Sequence, residues 1–209
     1  EFRRVLFRSK EWKKGLKREK TILLLGGARR TGKTEALSHF GQSSFSRYDI
    51  IKVQDLGKDE LNQLTNNGDV KKNFAEYMLP RNFSEADLNG DVLIIFDEIQ
   101  ENPLALTSLK YFSENASEYD IVAAGSLLGV AHHKGTGFPV GKVEYLNLYP
   151  LSFKEFLLAM DEKQILEIID KNDFEMQKVF KERIIDLLRR YCYVGGMPKA
   201  VLSFSEKQD

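Results

Sequence analysis

The feature of this chain that most constrains its fold is a short apolar run that leads straight into a glycine-rich segment. Residues 21–25 read TILLL, and residues 27–34 read GARRTGKT, which fits the pattern G-x-x-x-x-G-K-[S/T]. A continuous apolar run of this length is typical of a strand buried on both faces of a parallel sheet. Because residues 34–40 have a helical pattern, the sequence predicts a strand, a tight loop and a helix in succession.

Each residue type in this loop has a chemical reason to be there. Glycines let the backbone curl so that successive N–H groups point at phosphate oxygens, and the helix that follows adds its positive end. Lys33 is expected to reach the β- and γ-phosphates and the Thr34 hydroxyl to hold Mg²⁺. A tight turn without a ligand is the alternative, and Arg29 and Arg30 are equally well explained as exposed residues. The residues predicted to bind the nucleotide are Gly27, Ala28, Arg29, Arg30, Thr31, Gly32, Lys33, Thr34 and Glu35.

A second apolar run, residues 91–97 (DVLIIFD), ends in a carboxylate that another carboxylate follows. A buried carboxylate costs free energy unless it is paired, hydrated or liganded, so this pair needs a partner. Asp97 is predicted to orient Mg²⁺ through a water, and Glu98 to polarise the water that attacks the γ-phosphate. The alternative is that the two acids cap the following helix.

The rest of the chain indicates the fold class. Further strands are expected at residues 48–53, 120–124 and 143–148, and helices at 34–40 and 104–112. Residues 58–79 are expected to form one or two surface helices, with a break near residues 66–68. From residue 150 onward only helical patterns occur. The sequence therefore predicts an α/β P-loop NTPase fold: a five-stranded parallel sheet flanked by helices, with a C-terminal helical lid subdomain. The expected domains are an ATPase core over residues 10–149 and the lid over residues 150–209.

Composition excludes several classes of protein. Lys and Arg number 31, as do Asp and Glu, so the zero net charge gives no basic field of the kind that attracts nucleic acid. A single cysteine, Cys192, rules out an intrachain disulfide and fits a reducing compartment. The longest aliphatic and aromatic run, residues 92–96, is too short to span a bilayer. We therefore expect a cytoplasmic location and no membrane partner.

The two ends of the chain have the character of a truncated product. Residues 1–9 (EFRRVLFRS) resemble the translation of a common sequencing adapter, and the alternative is a basic amphipathic N-terminal segment. We treat residues 1–9 as an artefact and exclude them from functional reasoning. The segment SFSEKQD carries no clear stop signal, so the natural protein is expected to continue past Asp209.

Five motifs in fixed order resemble one family. They are GGARRTGKT (26–34), IIFDEIQ (94–100), IVAAGSLLG (121–129), YPLSFKEFL (149–157) and YVGGMP (193–198). Together they are similar to prokaryotic AAA-superfamily ATPases of the AAA family 14 type, in which a nuclease-like domain of unknown function follows the ATPase domain. The first two motifs correspond to Walker A and Walker B.

The resemblance implies a sheet with the P-loop strand at its centre and assigns two further site residues. Ser126 falls where such ATPases keep a polar sensor of the γ-phosphate, and a helix cap is the equal alternative. Pro198, in the Gly195-Gly196-Met-Pro stretch, falls in a lid element that borders the nucleotide; a helix stop and restart is the alternative. The family usually has glycine-arginine before the fifth strand, where this chain has Gly141-Lys142. Lysine cannot form a bidentate fork, which weakens the expectation of an arginine finger in a homo-oligomer.

The function expected from these features is Mg²⁺-dependent ATP hydrolysis that drives a conformational change, with Lys33, Glu98 and Ser126 as catalytic residues. The alternative is an ATP-gated switch or scaffold with little turnover, regulating an attached nucleic-acid-processing domain. Nucleic acid is expected as a partner only through that missing domain. A GTPase is disfavoured because the D-x-x-G match at residues 87–90 does not follow an apolar strand and no N-K-x-D element occurs.

Overall fold

The computed structural model describes residues 2–19, 21–65, 69–126 and 141–206. The chain divides into two compact units, Phe2–Leu148 and Tyr149–Asp209. The first unit contains the sheet and the second contains only helices in its described part.

The sheet of the first unit has five strands, all paired in parallel, as predicted. The spatial order is β2-β3-β4-β1-β5. The P-loop strand β1 is therefore interior but not central, because only β5 lies beyond it on one side, so the expectation of a central β1 was wrong and β4 occupies the middle. The strands are β1 Ile22–Gly27, β2 Arg47–Lys52, β3 Val92–Asp97, β4 Asp120–Ser126 and β5 Val143–Leu148.

Local signals in the sequence explain where the helices of this unit begin. The Asn102 side chain accepts a hydrogen bond of 2.8 Å from the Leu104 N–H, and Pro103 occupies the first turn of the helix that follows. The predicted helical stretch 58–79 forms two helices, and the break expected near residues 66–68 lies outside the described residues. The helices are α1 Phe2–Glu19, α2 Lys33–Ser44, α3 Lys58–Thr65, α4 Val70–Met78, α5 Glu85–Leu88 and α6 Pro103–Asn115.

Two apolar layers cover the two faces of the sheet, because successive strand side chains point to opposite sides. Leu23 and Leu25 of β1 pack with α1 and α2, where Phe40 is fully buried. Leu24 packs on the other face with α4 and α6, where the rings of Phe74 and Phe112 lie 5.1 Å apart. Burial on both faces is why β1 and β3 are continuous apolar runs, whereas the edge strands β2 and β5 are partly exposed and contain polar residues.

Helix α1 contains residues 2–9 of the segment that resembles a translated adapter. Val5 is buried, and the Trp12 indole N–H donates a hydrogen bond of 2.7 Å to the Thr21 carbonyl. Both side chains belong to the layer around Phe40. Residues 2–9 thus form the first half of a packed helix, and their origin stays a prediction.

The helical unit packs around a small core of Leu157, Ile165 and Leu187. Its first helix begins with a capping box in which Ser152 and Glu155 satisfy each other's backbone N–H groups. None of the helices in the described part of the chain combines the length and apolar character needed to cross a bilayer. The helices are α7 Phe153–Ala159, α8 Lys163–Asp170, α9 Phe174–Val179, α10 Lys181–Val194 and α11 Pro198–Glu206.

The Gly195–Pro198 stretch ends one helix and starts the next. Gly195 follows α10 with a φ of 76°, a conformation that favours glycine, and α11 begins at Pro198. The Leu151 N–H donates to the Gly196 carbonyl at 2.7 Å, and a Cβ added at Gly196 would lie 2.2 Å from the Leu151 oxygen. The helix stop and restart is therefore present in the structure.

Candidate functional site

The site lies at the end of the sheet that is formed by the carboxyl ends of the parallel strands. The phosphate loop leaves the end of β1 and turns into α2 on one face, whereas the chain after β3 passes to α6 on the other face. In open parallel sheets, ligands bind outside the carboxyl ends of strands whose connections leave to opposite faces. The fold therefore brings residues 27–35 and residues 97–100 to the same edge.

The loop itself has the curled backbone that its sequence predicts. Arg30 and Gly32 both have left-handed conformations, with φ values of 66° and 92°. The Thr31 hydroxyl donates to the Ala28 carbonyl at 2.9 Å and braces the turn. A Cβ on Gly27 would lie 2.3 Å from the Leu148 carbonyl oxygen, so only glycine fits where the loop leaves the sheet.

Lys33 is the buried cation of the site, with 5% of its surface exposed. Its ammonium donates to the carbonyl oxygens of Gly27 at 3.2 Å and Ala28 at 3.0 Å. Burial lowers the pKa of Lys33, an effect that the nearby carboxylates of Glu98 and Asp97 oppose. The ammonium is thus incompletely compensated, and anionic oxygens at the loop would supply the charge that it lacks.

Thr34 and Asp97 meet directly. The Thr34 hydroxyl donates to one carboxylate oxygen of Asp97 at 2.8 Å, and the other oxygen accepts the Glu98 N–H at 3.0 Å. Among the described residues, no group of three or more His, Cys, Asp or Glu side chains could hold a metal ion by itself. A hydroxyl beside a single carboxylate is a hard oxygen donor set that fits Mg²⁺, which takes its remaining ligands from phosphates and waters.

Glu98 has an unusual backbone that aims its side chain. Its φ of 52° lies in the left-handed region, and a 3₁₀ turn, Ile99–Glu101, follows at once. One Glu98 carboxylate oxygen accepts a hydrogen bond of 2.7 Å from the Gln100 amide, and the Gln100 carbonyl accepts the Ser126 N–H at 3.0 Å. The sequence had placed Gln100 inside the IIFDEIQ motif without assigning it a role, although its spacing from Glu98 was the available signal.

The other predicted residues occupy less specific positions. Ala28, Arg29, Arg30 and Glu35 are exposed, and Ser126 ends β4 next to Gln100. Pro198 lies in the helical unit at the start of α11, and its contact with a nucleotide stays a prediction. The roles predicted for individual site residues are likewise taken up below as proposals.

Lys142 lies at the amino ends of the strands, whereas the phosphate loop lies at their carboxyl ends. Its carbonyl oxygen accepts the Ile22 N–H at 3.0 Å, which places it at the amino ends of β1 and β5. Its side chain is exposed. Lys142 therefore does not belong to the cluster around Lys33 in its own chain.

The parallel sheet, the loop between β1 and α2, and the acids at and directly after the end of β3 define the class of P-loop nucleoside triphosphatases. The chain belongs to the AAA domain family, whose sequence pattern matches residues 19–157. The predicted resemblance is thus confirmed for the AAA superfamily. The nuclease-like domain expected to follow, and the adapter origin of residues 1–9, stay predictions.

Two solved structures have a similar fold. One is the Walker-type ATPase PabY2304 of Pyrococcus abyssi, at 14% identity and a TM-score of 0.55, with 94% of this chain and 65% of that chain aligned. The other is the Aeropyrum pernix ORC1 protein in complex with DNA, at 16% identity and a TM-score of 0.50, with 81% and 49% aligned. The chain therefore spans less than two thirds of the length of either structure. No curated protein matches the chain.

Proposed function

We propose that this chain binds ATP with Mg²⁺ and hydrolyses it to ADP and phosphate, and that turnover drives a conformational change. The observation that carries the proposal is the 2.8 Å contact between the Thr34 hydroxyl and the Asp97 carboxylate, next to the buried ammonium of Lys33. Family membership supports the general class of activity. The proposed Mg²⁺ dependence and the proposed hydrolysis of ATP rest on the geometry of these residues.

Binding of the triphosphate falls to the loop and to the helix that follows it. The backbone N–H groups of residues 27–35 and the start of α2 present partial positive charge to phosphate oxygens. Lys33 exchanges its two carbonyl contacts for anionic oxygens, which are stronger acceptors. Binding is therefore expected to compensate the buried ammonium.

Thr34 would hold the metal ion directly, and Asp97 would hold it through a water. When bound, Mg²⁺ neutralises charge on the β- and γ-phosphate oxygens. The Thr34 hydroxyl is already oriented for this by its hydrogen bond to Asp97. Asp97 in turn is fixed by the Glu98 N–H, so both donors are held before a ligand arrives.

Hydrolysis needs a base that takes a proton from water. The Glu98 carboxylate oxygen that does not accept from Gln100 takes that proton as the water oxygen bonds to the γ-phosphorus. The bond from the γ-phosphorus to the bridging oxygen breaks, and its electron pair leaves with ADP. Lys33 stabilises the charge that develops, and we propose Ser126, at the end of β4, as the sensor of the γ-phosphate.

A nucleotide panel tests the proposal. Purified protein is titrated with ATP, GTP and ADP, with Mg²⁺ and with EDTA, and phosphate release is followed for the wild type, Lys33→Ala and Glu98→Gln. We expect Mg²⁺-dependent ATP binding and its loss in Lys33→Ala. In Glu98→Gln we expect binding to be retained and hydrolysis to fall to a low residual rate. Absence of nucleotide binding by folded wild type would overturn the proposal.

The second candidate is an ATP-gated switch with little turnover, which regulates an attached nucleic-acid-processing domain. The exposed Lys142, where an arginine finger is expected, favours it because a lysine cannot form the bidentate contact. A wild-type rate at the level of Glu98→Gln, together with tight ATP binding, would select the switch. Sedimentation with and without ATP would show whether the chain forms a homo-oligomer, as a finger in trans requires.

A further inference from the structure

We propose that Gln100 is a positioning residue that sets the orientation of the Glu98 carboxylate from the end of β4. The inference rests on the proposed hydrolysis, in which Glu98 is the base. It concerns a residue to which neither the sequence motifs nor the family assignment gives a role.

The Gln100 carboxamide uses both of its functional atoms. Its nitrogen donates to a Glu98 oxygen at 2.7 Å and to the exposed Glu101 carboxylate at 3.2 Å. Its oxygen accepts the backbone N–H of Ser126 at 3.0 Å. An amide donates from its nitrogen and accepts at its oxygen at the same time, which neither an ionised carboxylate nor an apolar side chain can do.

The backbone before Gln100 is arranged so that its side chain turns back toward Glu98. Glu98 is left-handed, Ile99 is fully buried in the layer beneath α6, and the Glu101 N–H closes the turn on the Glu98 carbonyl at 2.9 Å. A left-handed non-glycine residue costs roughly 1–3 kcal/mol and persists only where its surroundings fix it. The Gln100 contact is one of the interactions that do so.

The contact also connects the base to the strand beside the phosphate loop. The backbone register between β3 and β4 ends at Phe96 and Ala123, so the Gln100 side chain bridges the two strands beyond their last paired residues. Ser126 itself pairs in register with Gly27, the first loop residue. The position of the Glu98 carboxylate thus depends on the end of β4, whereas Lys33 and Thr34 make no contact with Gln100 among their hydrogen bonds in the described residues.

This geometry predicts an effect on turnover that spares binding. We expect Gln100→Ala to lower kcat roughly tenfold to a hundredfold, because a misplaced base loses most of its contribution. KM and the ATP dissociation constant should stay within about twofold of wild type. Gln100→Glu should lose as much as Gln100→Ala, since it cannot donate to Glu98, whereas Gln164→Glu, an exposed charge control on α8, should match wild type.

A double variant separates positioning from a general structural role. If Gln100 acts through Glu98, adding Gln100→Ala to Glu98→Gln should cause no further loss, because the base is already absent. The inference would be overturned if the losses in kcat of the two single variants multiplied in the double variant. It would also be overturned if Gln100→Ala kept the wild-type kcat, or lost kcat and ATP affinity equally. Gln100→Met, which preserves side-chain volume, replaces the alanine variant if that variant does not fold.

The same experiment distinguishes this inference from the proposed function. If wild type hydrolyses ATP and Gln100→Ala does so at the same rate, only the positioning role is overturned. Wild type that binds no nucleotide overturns both, and so does wild type that binds ATP with no turnover above Glu98→Gln.

Discussion

Thr34 and Asp97 lie 63 positions apart in the chain, yet the hydroxyl of one donates a hydrogen bond of 2.8 Å to the carboxylate of the other. The contact joins the first turn of α2 to the last residue of β3. Because β4 lies between β1 and β3 in the sheet, the contact passes over the end of a strand. It forms only when the sheet has assembled in this order. It brings together the hydroxyl that we propose as a direct Mg²⁺ ligand and the carboxylate that we propose holds the ion through a water.

We predict that Thr34→Ala weakens ATP binding in Mg²⁺ about tenfold to a hundredfold, the loss of roughly 1.5–3 kcal/mol that a contact to a charged group provides. Binding in EDTA should change little, since the hydroxyl acts through the metal. Calorimetric titration under both conditions checks this. Thr34→Ser should restore binding, and Thr107→Ala on α6 is the matched control. Equal losses with and without Mg²⁺ would contradict the metal role.

We predict that Lys33→Met removes the stabilisation of the fold by ATP. At a ligand concentration of about 100 times the dissociation constant, wild type should gain roughly 2.7 kcal/mol in its free energy of unfolding. A hundredfold weaker site would gain only about 0.4 kcal/mol under the same conditions. Chemical denaturation with and without ATP and Mg²⁺ measures both values, with the exposed Lys110→Met on α6 as control. A full ATP effect in Lys33→Met would disprove phosphate binding by this ammonium.

Glycine substitutions in the same chain should fail or succeed for different physical reasons. Gly27→Ala places a Cβ 2.3 Å from a backbone oxygen, so we expect a loss of roughly 1–3 kcal/mol from overpacking. Gly32 has open space but a φ of 92°, so Gly32→Ala should cost about 1–2 kcal/mol and Gly32→Asn less. Gly15, inside α1 with nothing within 4 Å, should accept alanine with a gain of roughly 0.5–1 kcal/mol. Urea denaturation ranks the four variants, and the reverse order for Gly27 and Gly15 would refute the explanation.

Asp120 should make stability depend on pH. Burial raises the pKa of this carboxyl to about 6, an effect that Lys13 opposes and Asp91 reinforces. Between the unfolded value of 3.8 and about 6, the native state keeps a proton that the unfolded state releases. Stability from this group therefore falls as pH rises through that window and is level above it.

Asp120→Asn mimics the protonated form and should remove this dependence. The free energy of unfolding of the variant relative to that of wild type should rise by roughly 1–2 kcal/mol from about pH 4 to about pH 7. This value allows for the partial exposure of Asp120. Denaturation at both pH values provides the measurement, with the exposed Asp55→Asn as control. A constant difference between variant and wild type across this range would exclude the mechanism.

The sequence predicted those parts of the site that depend on local pattern. A buried strand, a glycine loop and a helix carry their signals within residues 21–40, so the positions of Lys33 and Thr34 could be assigned before the fold was known. Asp97 and Glu98 could be assigned because carboxylates rarely end an apolar strand without a partner. Strands β1 and β3 were predicted because each is a continuous apolar run, and β5 because apolar and polar residues alternate along it.

The sequence did not predict what depends on how distant strands assemble. β4 lies in the middle of the sheet because it pairs with both β3 and β1, and no local sequence pattern indicates which strands pair. Gln100 was overlooked because its partner on β4 is a backbone N–H, which every residue has. The left-handed conformation of Glu98 was also unexpected, because glutamate has no preference for it.

The strand that separates the phosphate loop from the acids ends in very small side chains: Ala123, Ala124 and Gly125 precede Ser126. Strands two places apart in a sheet lie roughly 9.6 Å from each other, so Thr34 meets Asp97 from the first turn of α2, across the end of the intervening strand. Ala123 and Ala124 are fully buried, one in each of the two apolar layers, and Gly125 has no side chain. The distance that the Thr34–Asp97 contact must cross is thus set by a strand that supplies no side chain to it.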